Sequence, residues 1–324
     1  MKTEILDPRL ADVGGIPIAR LLPNKGKEPI GAWCFMDHAG PAEFGEDEEG
    51  MQVGRHPHIN LQTFSWMIDG EVLHKDSIGN EKVITKNQVN VMTAGTGNDQ
   101  GISHTEQSVF PDTGGSAEAW RGMNMVQLWI ALPLDQKIER NFHHYPELPS
   151  WKEQGAEYVL TTGDYTTPKG ESYSAPTIQY SKLIGLDVHL VEDTEVSLVL
   201  EPGFEYGILM VVDGIEYQGK KYEQNQMIRF DDVSQKTLIS VKGTKGARFM
   251  LLGGEPLNQK VLLWWNFVAD NKQDIEKAIT DWNNHHPRFG NVDSELRRLE
   301  APALPNGFKG LLCNINSLSI FIVK

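Results

Sequence analysis

Apolar and polar residues alternate in short runs along most of the chain. Thr63-Phe64-Ser65-Trp66-Met67-Ile68 is rich in β formers and ends at the turn pair Asp69-Gly70. Glu71–His74 resumes the strand and Ser77-Ile78-Gly79-Asn80 turns again. Lys82–Ile84, Val89–Met92 and Met125–Ile130 follow, the last closed by Leu132-Pro133. In the second half, Val196–Leu200, Gly207–Val212, Met227–Phe230, Thr237–Val241 and Arg248–Leu252 repeat the habit. Short strands punctuated by turn residues predict an all-β barrel or sandwich. A helix signal is confined to residues 270–283, where Ile275, Ala278, Ile279 and Trp282 share one face. Asp270 with Gln273 is the expected capping box.

The halves echo one another. Ile68-Asp69-Gly70-Glu71-Val72 resembles Val212-Asp213-Gly214-Ile215-Glu216 at an offset of 144. Asn87 and Asn225, each before Gln, match at an offset of 138. Two β-barrels in tandem are the economical reading. One spans residues 1–150. The other spans 151–324 and includes the helix 270–283 and the tail. Residues 135–180, with Pro146, Pro149, Pro168 and Pro176, read as the connector. Ala301-Pro302-Ala303-Leu304-Pro305 reads as an extended exit before an apolar ending, Leu311-Leu312-Cys313 and Ile315–Val323.

Composition narrows the partners. The chain has 324 residues, 30 Lys+Arg and 44 Asp+Glu, a formal net charge of −14. No basic run offsets this, so direct nucleic-acid binding is not expected. Apolar residues at 40% and charged residues at 23% argue against disorder as the main state. No long uninterrupted apolar stretch predicts a membrane span. Two cysteines, Cys34 and Cys313, and the absence of an apolar signal core in MKTEILDPRL lead us to expect a cytoplasmic protein.

The chemistry concentrates in two pairs. His56-Pro57-His58 puts two imidazoles on one face of an extended chain, unless it is a solvated loop. His104-Thr105-Glu106 repeats the spacing 48 residues after His56, with two hairpins between. Meandering strands bring such pairs together across a small barrel. Three neutral imidazoles and a carboxylate suit Fe(II), Mn(II), Ni(II), Cu(II) or Zn(II), not Ca²⁺ or Mg²⁺. Four ligands on an octahedral ion leave positions open for catalysis; a closed tetrahedral zinc site would be structural.

Further residues carry a family likeness. They are Trp33-Cys34-Phe35-Met36-Asp37-His38 with Gly40-Pro41, His56-Pro57-His58, and Asp69–Ser77 with Gly79-Asn80. Met92–Gly97, His104-Thr105-Glu106, Gly253–Leu257 and Arg288-Phe289-Gly290 complete the set. This ordered set, spread over residues 15–305, resembles the pirins within the cupin superfamily. The resemblance implies two tandem cupin (jelly-roll) barrels. It also implies one non-haem Fe(II) in the N-terminal barrel, held by His56, His58, His104 and Glu106. Members of the family act as quercetin 2,3-dioxygenases or as iron-dependent transcriptional co-regulators. The C-terminal barrel of the family holds no metal, and the repeat offset agrees: His56 and His58 map to Leu200 and Pro202.

Two departures from the pattern stand out. Gln62 replaces a Glu found in many relatives; four residues after His58, it is expected to share that face and orient a bound water or ligand. Asn98-Asp99-Gln100-Gly101 reads as an insertion ahead of His104, able to displace it. Asp37-His38 is a structural turn or a neighbour of the metal. His74 is expected to be exposed in a hairpin, and Trp264-Trp265 to close a barrel.

These readings lead to a dioxygenase taking O₂ and a flavonol-like small molecule, with Glu106 as base as well as ligand. A redox- or ligand-sensing module read by a protein partner, and a metal that only stabilises the barrel, are the alternatives.

Overall fold

Alternating β-formers build strands through nearly the whole chain of the computed structural model, which describes residues 2–24, 28–110, 120–231 and 233–308. The apolar tail around Cys313 lies outside these residues. Contacts divide the chain into two units. Each holds a seven-stranded and a four-stranded antiparallel sheet, the two-sheet barrel plan expected from the sequence.

In the first barrel the large sheet runs Asn141–Tyr145, Val89–Thr93, Leu61–Asp69, Gly122–Ala131, Trp33–Glu43, Ile16–Leu22, Arg9–Val13. The small sheet runs Gln52–His58, Ile102–Ser108, Val72–Asp76, Glu81–Ile84. Ile18, Met67 and Met125 of one sheet meet Val53, Val72 and Ile84 of the other in a buried cluster.

The second barrel repeats the plan. Its large sheet contains Glu205–Val212, Arg248–Gly254 and Leu183–Leu190, and the first strand of the chain, Lys2–Leu6, pairs with Met227–Asp231 there. Its small sheet runs Thr194–Leu200, Thr237–Gly243, Ile215–Tyr217, Lys220–Tyr222. Leu198, Leu200, Ile208, Phe230, Ile239 and Phe249 fill its interior.

The segment after residue 258 departs from its expected place in the second barrel. It belongs with the first barrel, not the second. Its hairpin, Leu262–Trp264 and Phe267–Ala269, bridges Ile59 through Phe267. The single α-helix among the described residues, Lys272–Asn283, buries Ile275, Ala278 and Trp282 against Trp265, Phe267 and Phe289. The helix N-cap is Asn271 rather than Asp270. Its side chain accepts from the Asp274 amide (2.9 Å) and donates to the Asp274 carboxylate (2.8 Å). A start one residue later puts Asp274 at the third helical position, where its carboxylate meets the cap's side-chain amide. No helix among the described residues is long and apolar enough to cross a membrane.

Candidate metal centre

The small sheet of the first barrel has one inner face, and its register decides what lies there. His58 pairs with Ile102 and His56 with His104. On the other side, His104 pairs with Asp76 and Glu106 with His74. Directly paired residues share a face, as do residues two apart. His56, His58, His104, Glu106, His74 and Asp76 therefore all point inward. A bulge at Gly54-Arg55 opposite Thr105 moves Glu106 across from Val53 and away from His56.

The three expected imidazoles converge. His56, His58 and His104 are buried, with their ligand atoms within 4.8 Å of one another. Glu106 joins a second group, with His74 and His104, within the same limit. His104 is common to both, so the expected four residues are brought together as three plus one through His104.

Hydrogen bonds set which ring nitrogen faces the centre. His56 Nδ1 is 2.8 Å from the Gly54 carbonyl, and His58 Nδ1 is 3.1 Å from the Asn266 carbonyl. A carbonyl only accepts, so both rings carry their proton on Nδ1 and turn an Nε2 lone pair inward. His104 Nε2 lies 3.1 Å from His58 Nε2. Two lone pairs at that separation repel unless a cation lies among them. Burial lowers the His56 pKa to about 4 and holds His58 and His104 well below the usual value, with neighbouring imidazoles adding to the effect. The rings are thus neutral, the form that binds a metal. Burial lifts Glu106 to about 7. The set fits a borderline transition-metal ion.

The neighbouring cavity has a mostly apolar wall, including Met51, Val53, Met125, Trp129 and Trp265. Phe35 stacks on Trp129 at 3.9 Å, and Trp129 meets the His58 ring edge-on at 5.1 Å. The cavity volume is about 60 Å³. Arg20 and Asp37 form a buried bidentate pair at the wall, 2.7 and 2.6 Å. Trp265, at φ 52°, and Asn266 line the cavity from the hairpin turn. Trp265 Nε1 and Asn266 Nδ2 are buried without a partner among the described residues. A bulky residue at positive φ is costly, and an unmet buried donor costs about 1–3 kcal/mol.

The remaining expectations fare differently. Asp37 reaches the cavity wall, neutralised by Arg20. His38, next along the strand, points to the other face and meets Asn124 Oδ1 at 2.8 Å. Gln62 does not share the face of His58. Asn60, at φ 56°, interrupts the strand between them and resets the alternation, so Gln62 donates to Thr93 Oγ1 (3.1 Å). Thr63 lines the cavity instead. Asn98–Gly101, expected to be able to displace His104, leaves it paired with His56, and Gln100 holds the segment through Glu139 (2.9 Å) and the Arg140 amide (3.1 Å). His74 is buried, not exposed: Val72, His74 and Asp76 are the inward positions of an alternating strand. That alternation was the signal for it. Trp264 is core, donating to the Pro302 carbonyl, whereas Trp265 faces the cavity. Nothing local announced Asn266, 208 residues from His58.

Comparison with known proteins places this geometry among relatives. Residues 16–130 match the pirin family model and residues 185–290 the model of the pirin C-terminal cupin domain. A Pseudomonas aeruginosa protein named "Putative quercetin 2,3-dioxygenase PA1205" is 43% identical over 92% of this chain and 89% of its own. A Caulobacter vibrioides protein named "Pirin-like protein" is 31% identical over 89% of this chain and 96% of its own. The crystal structure of an Acinetobacter baumannii protein titled quercetin 2,3-dioxygenase superposes with a TM-score of 0.85 at 38% identity, covering 95% of this chain and 98% of that one.

Proposed function

The chain belongs to the pirin family, and on that premise we propose that it is a metal-dependent dioxygenase of the quercetinase kind. The observation that carries the reading is the gathering of three buried imidazoles, with ligand atoms within 4.8 Å of one another, beside a largely apolar cavity. His56, His58 and His104 would hold the ion, with Glu106 as the carboxylate. We take Fe(II) as the leading ion, while Mn, Ni, Cu and Zn suit the same donors. When bound, such an ion supplies a Lewis-acidic, redox-active centre with open positions for oxygen ligands.

The protein's own residues do the rest. Glu106 is the one carboxylate of the set, and so the group that would take a phenolic proton. Phe35, Trp129 and the methionines exclude water and offer flat apolar surface to an aromatic ring. Trp265 Nε1 and Asn266 Nδ2 are the unmet donors that oxygen atoms of such a ring system would satisfy. The names of the relatives support the substrate class. The reading is tested by oxygen uptake with quercetin and Fe(II)-loaded protein. Uptake well above a His56→Ala control is expected; equal rates reject it.

The small cavity favours one other reading. In it the centre senses redox state or ligand, and a protein partner reads it without turnover. Equal partner binding to Fe(II), Fe(III) and metal-free protein rejects that reading.

A further inference from the structure

Two of the three central rings lean on carbonyls, which fix their tautomers without ambiguity. The third does not. His104 Nδ1 lies 3.3 Å from His74 Nδ1, and an imidazole nitrogen can either donate or accept. Whether His104 offers its Nε2 lone pair to the centre therefore depends on His74, set against the pull of the His58 Nε2 lone pair 3.1 Å away.

His74 is in turn held by Asp76. Its Nε2 is 3.1 Å from Asp76 Oδ2. Asp76 Oδ1 accepts from the Ile78 amide (3.0 Å), the Asn80 amide (3.0 Å) and Asn80 Nδ2 (3.1 Å), and Oδ2 accepts a second contact from Asn80 Nδ2 at 2.9 Å. A carboxylate so surrounded by donors is an acceptor only. His74 then carries its proton on Nε2 and turns an Nδ1 lone pair to His104, which must donate from Nδ1.

We propose that His74 and Asp76 form a tautomer lock: a two-residue hydrogen-bonded chain that commits His104 Nε2 to metal binding. This deepens the metal-centre reading above and rests on it. Both are positioning residues, since neither is needed as a ligand. His74 does lie within ligand distance of His104 and Glu106, but its two nitrogens are already engaged by Asp76 and His104.

Asp76→Asn is the sharpest probe. Three donor contacts fall on Oδ1 against one from Asn80 Nδ2 on Oδ2, so the amide oxygen keeps the Oδ1 place and the NH₂ falls where Oδ2 was. There it donates to His74 Nε2 and moves the His74 proton to Nδ1. His104 must then accept on Nδ1 and carry its own proton on Nε2, facing the centre. The logic matches the loss of the correct imidazole tautomer when a triad aspartate becomes asparagine.

The measurement is ¹⁵N NMR of the imidazole nitrogens in metal-free protein, with His104 identified by its absence in His104→Ala, alongside competition titration with Ni(II). In wild type, His104 is expected protonated at Nδ1. Asp76→Asn should shift it to Nε2 and weaken Ni(II) binding on the order of 10–100-fold. His74→Leu should weaken binding similarly. His74→Gln, whose amide oxygen accepts from His104 Nδ1, should keep both tautomer and affinity within a few-fold. An unchanged tautomer and affinity in Asp76→Asn overturns the lock. So does a wild-type His104 protonated at Nε2, even where Ni(II) binds. Conversely, the expected tautomers in a protein that takes up no Ni(II) sink the metal reading and leave the lock standing.

Discussion

The two barrels share one plan and differ in what the small sheet turns inward. In the first, the small sheet turns His56, His58, His104, Glu106, His74 and Asp76 inward. In the second, the matching strands turn Val196, Leu198, Leu200, Ile239, Val241, Ile215 and Tyr217 inward, all buried. Val196 pairs with Val241 and Leu198 with Ile239, as His56 pairs with His104. The scaffold therefore tolerates either a dry core or a donor-lined pocket at the same place. What it demands of the pocket is compensation. Each imidazole must find an outer partner, and these come from Gly54, from Asn266 on a distant hairpin, and from His74 backed by Asp76. The apolar wall needs none.

Removing a central ring should break the contrast most completely. His58→Ala deletes one of three converging nitrogens. Loss of an outer partner alone costs about 10–100-fold in metal affinity, so this loss is expected to exceed that. Elemental analysis after gel filtration should find stoichiometric metal in wild type and almost none in the variant. Retained metal would mean that the ion sits elsewhere.

A residue of the matching apolar wall should behave oppositely. Leu198 is fully buried in an apolar core. Leu198→Ala should cost about 2–5 kcal/mol in cavity and transfer terms. The cost should be the same with metal or with chelator, and faster hydrogen exchange should be confined to residues 183–254. A cost that vanishes when metal is added would contradict the division of labour between the barrels.

Acid should separate the walls next. In chelated protein, His56 is depressed to about 4, and His58 and His104 lie well below an unfolded value near 6.5. As pH falls below about 6.5, the unfolded chain gains protons that the native rings refuse. Stability then drops, at most by about 1.4 kcal/mol per pH unit for each ring. Glu106 acts the other way, since the native form keeps its proton up to about 7; one carboxyl against three rings leaves a net loss. Urea midpoints at pH 7.5, 6.5 and 5.5 should show the decline. His58→Leu, which copies the apolar wall, should flatten it.

Much of this was legible in the sequence, and the failures have a common cause. Strands, repeat and the two His-containing pairs follow from period-two alternation and turn residues, which are local signals. His58 and Gln62 are four apart, but Asn60 at positive φ breaks the strand, so counting along the chain put Gln62 on the wrong face. His74 was misjudged because its hairpin was read as solvent-facing, although Val72-x-His74-x-Asp76 alternates inward. Asn266 and Trp265 were beyond local reading altogether. They reach the pocket because a segment from beyond the second barrel returns to the first, and that depends on tertiary contacts.

That returning segment carries the smallest expected effect. Helix Lys272–Asn283 buries Ile275, Ala278 and Trp282 in the cluster that also holds Ile59, Trp265 and Phe267. The same hairpin supplies the Asn266 carbonyl to His58, and its Val268 carbonyl accepts from Asn60 Nδ2 at 2.9 Å. Asn271→Ala removes the cap and should cost about 1 kcal/mol. Faster hydrogen exchange should appear in residues 259–308, while residues 183–254 keep the wild-type rate. Because the hairpin loosens without losing Asn266, metal affinity should fall by no more than a few-fold, well short of the His58→Ala loss. Faster exchange in 183–254 instead would return the helix to the second barrel, and the apolar wall would then be the one it braces.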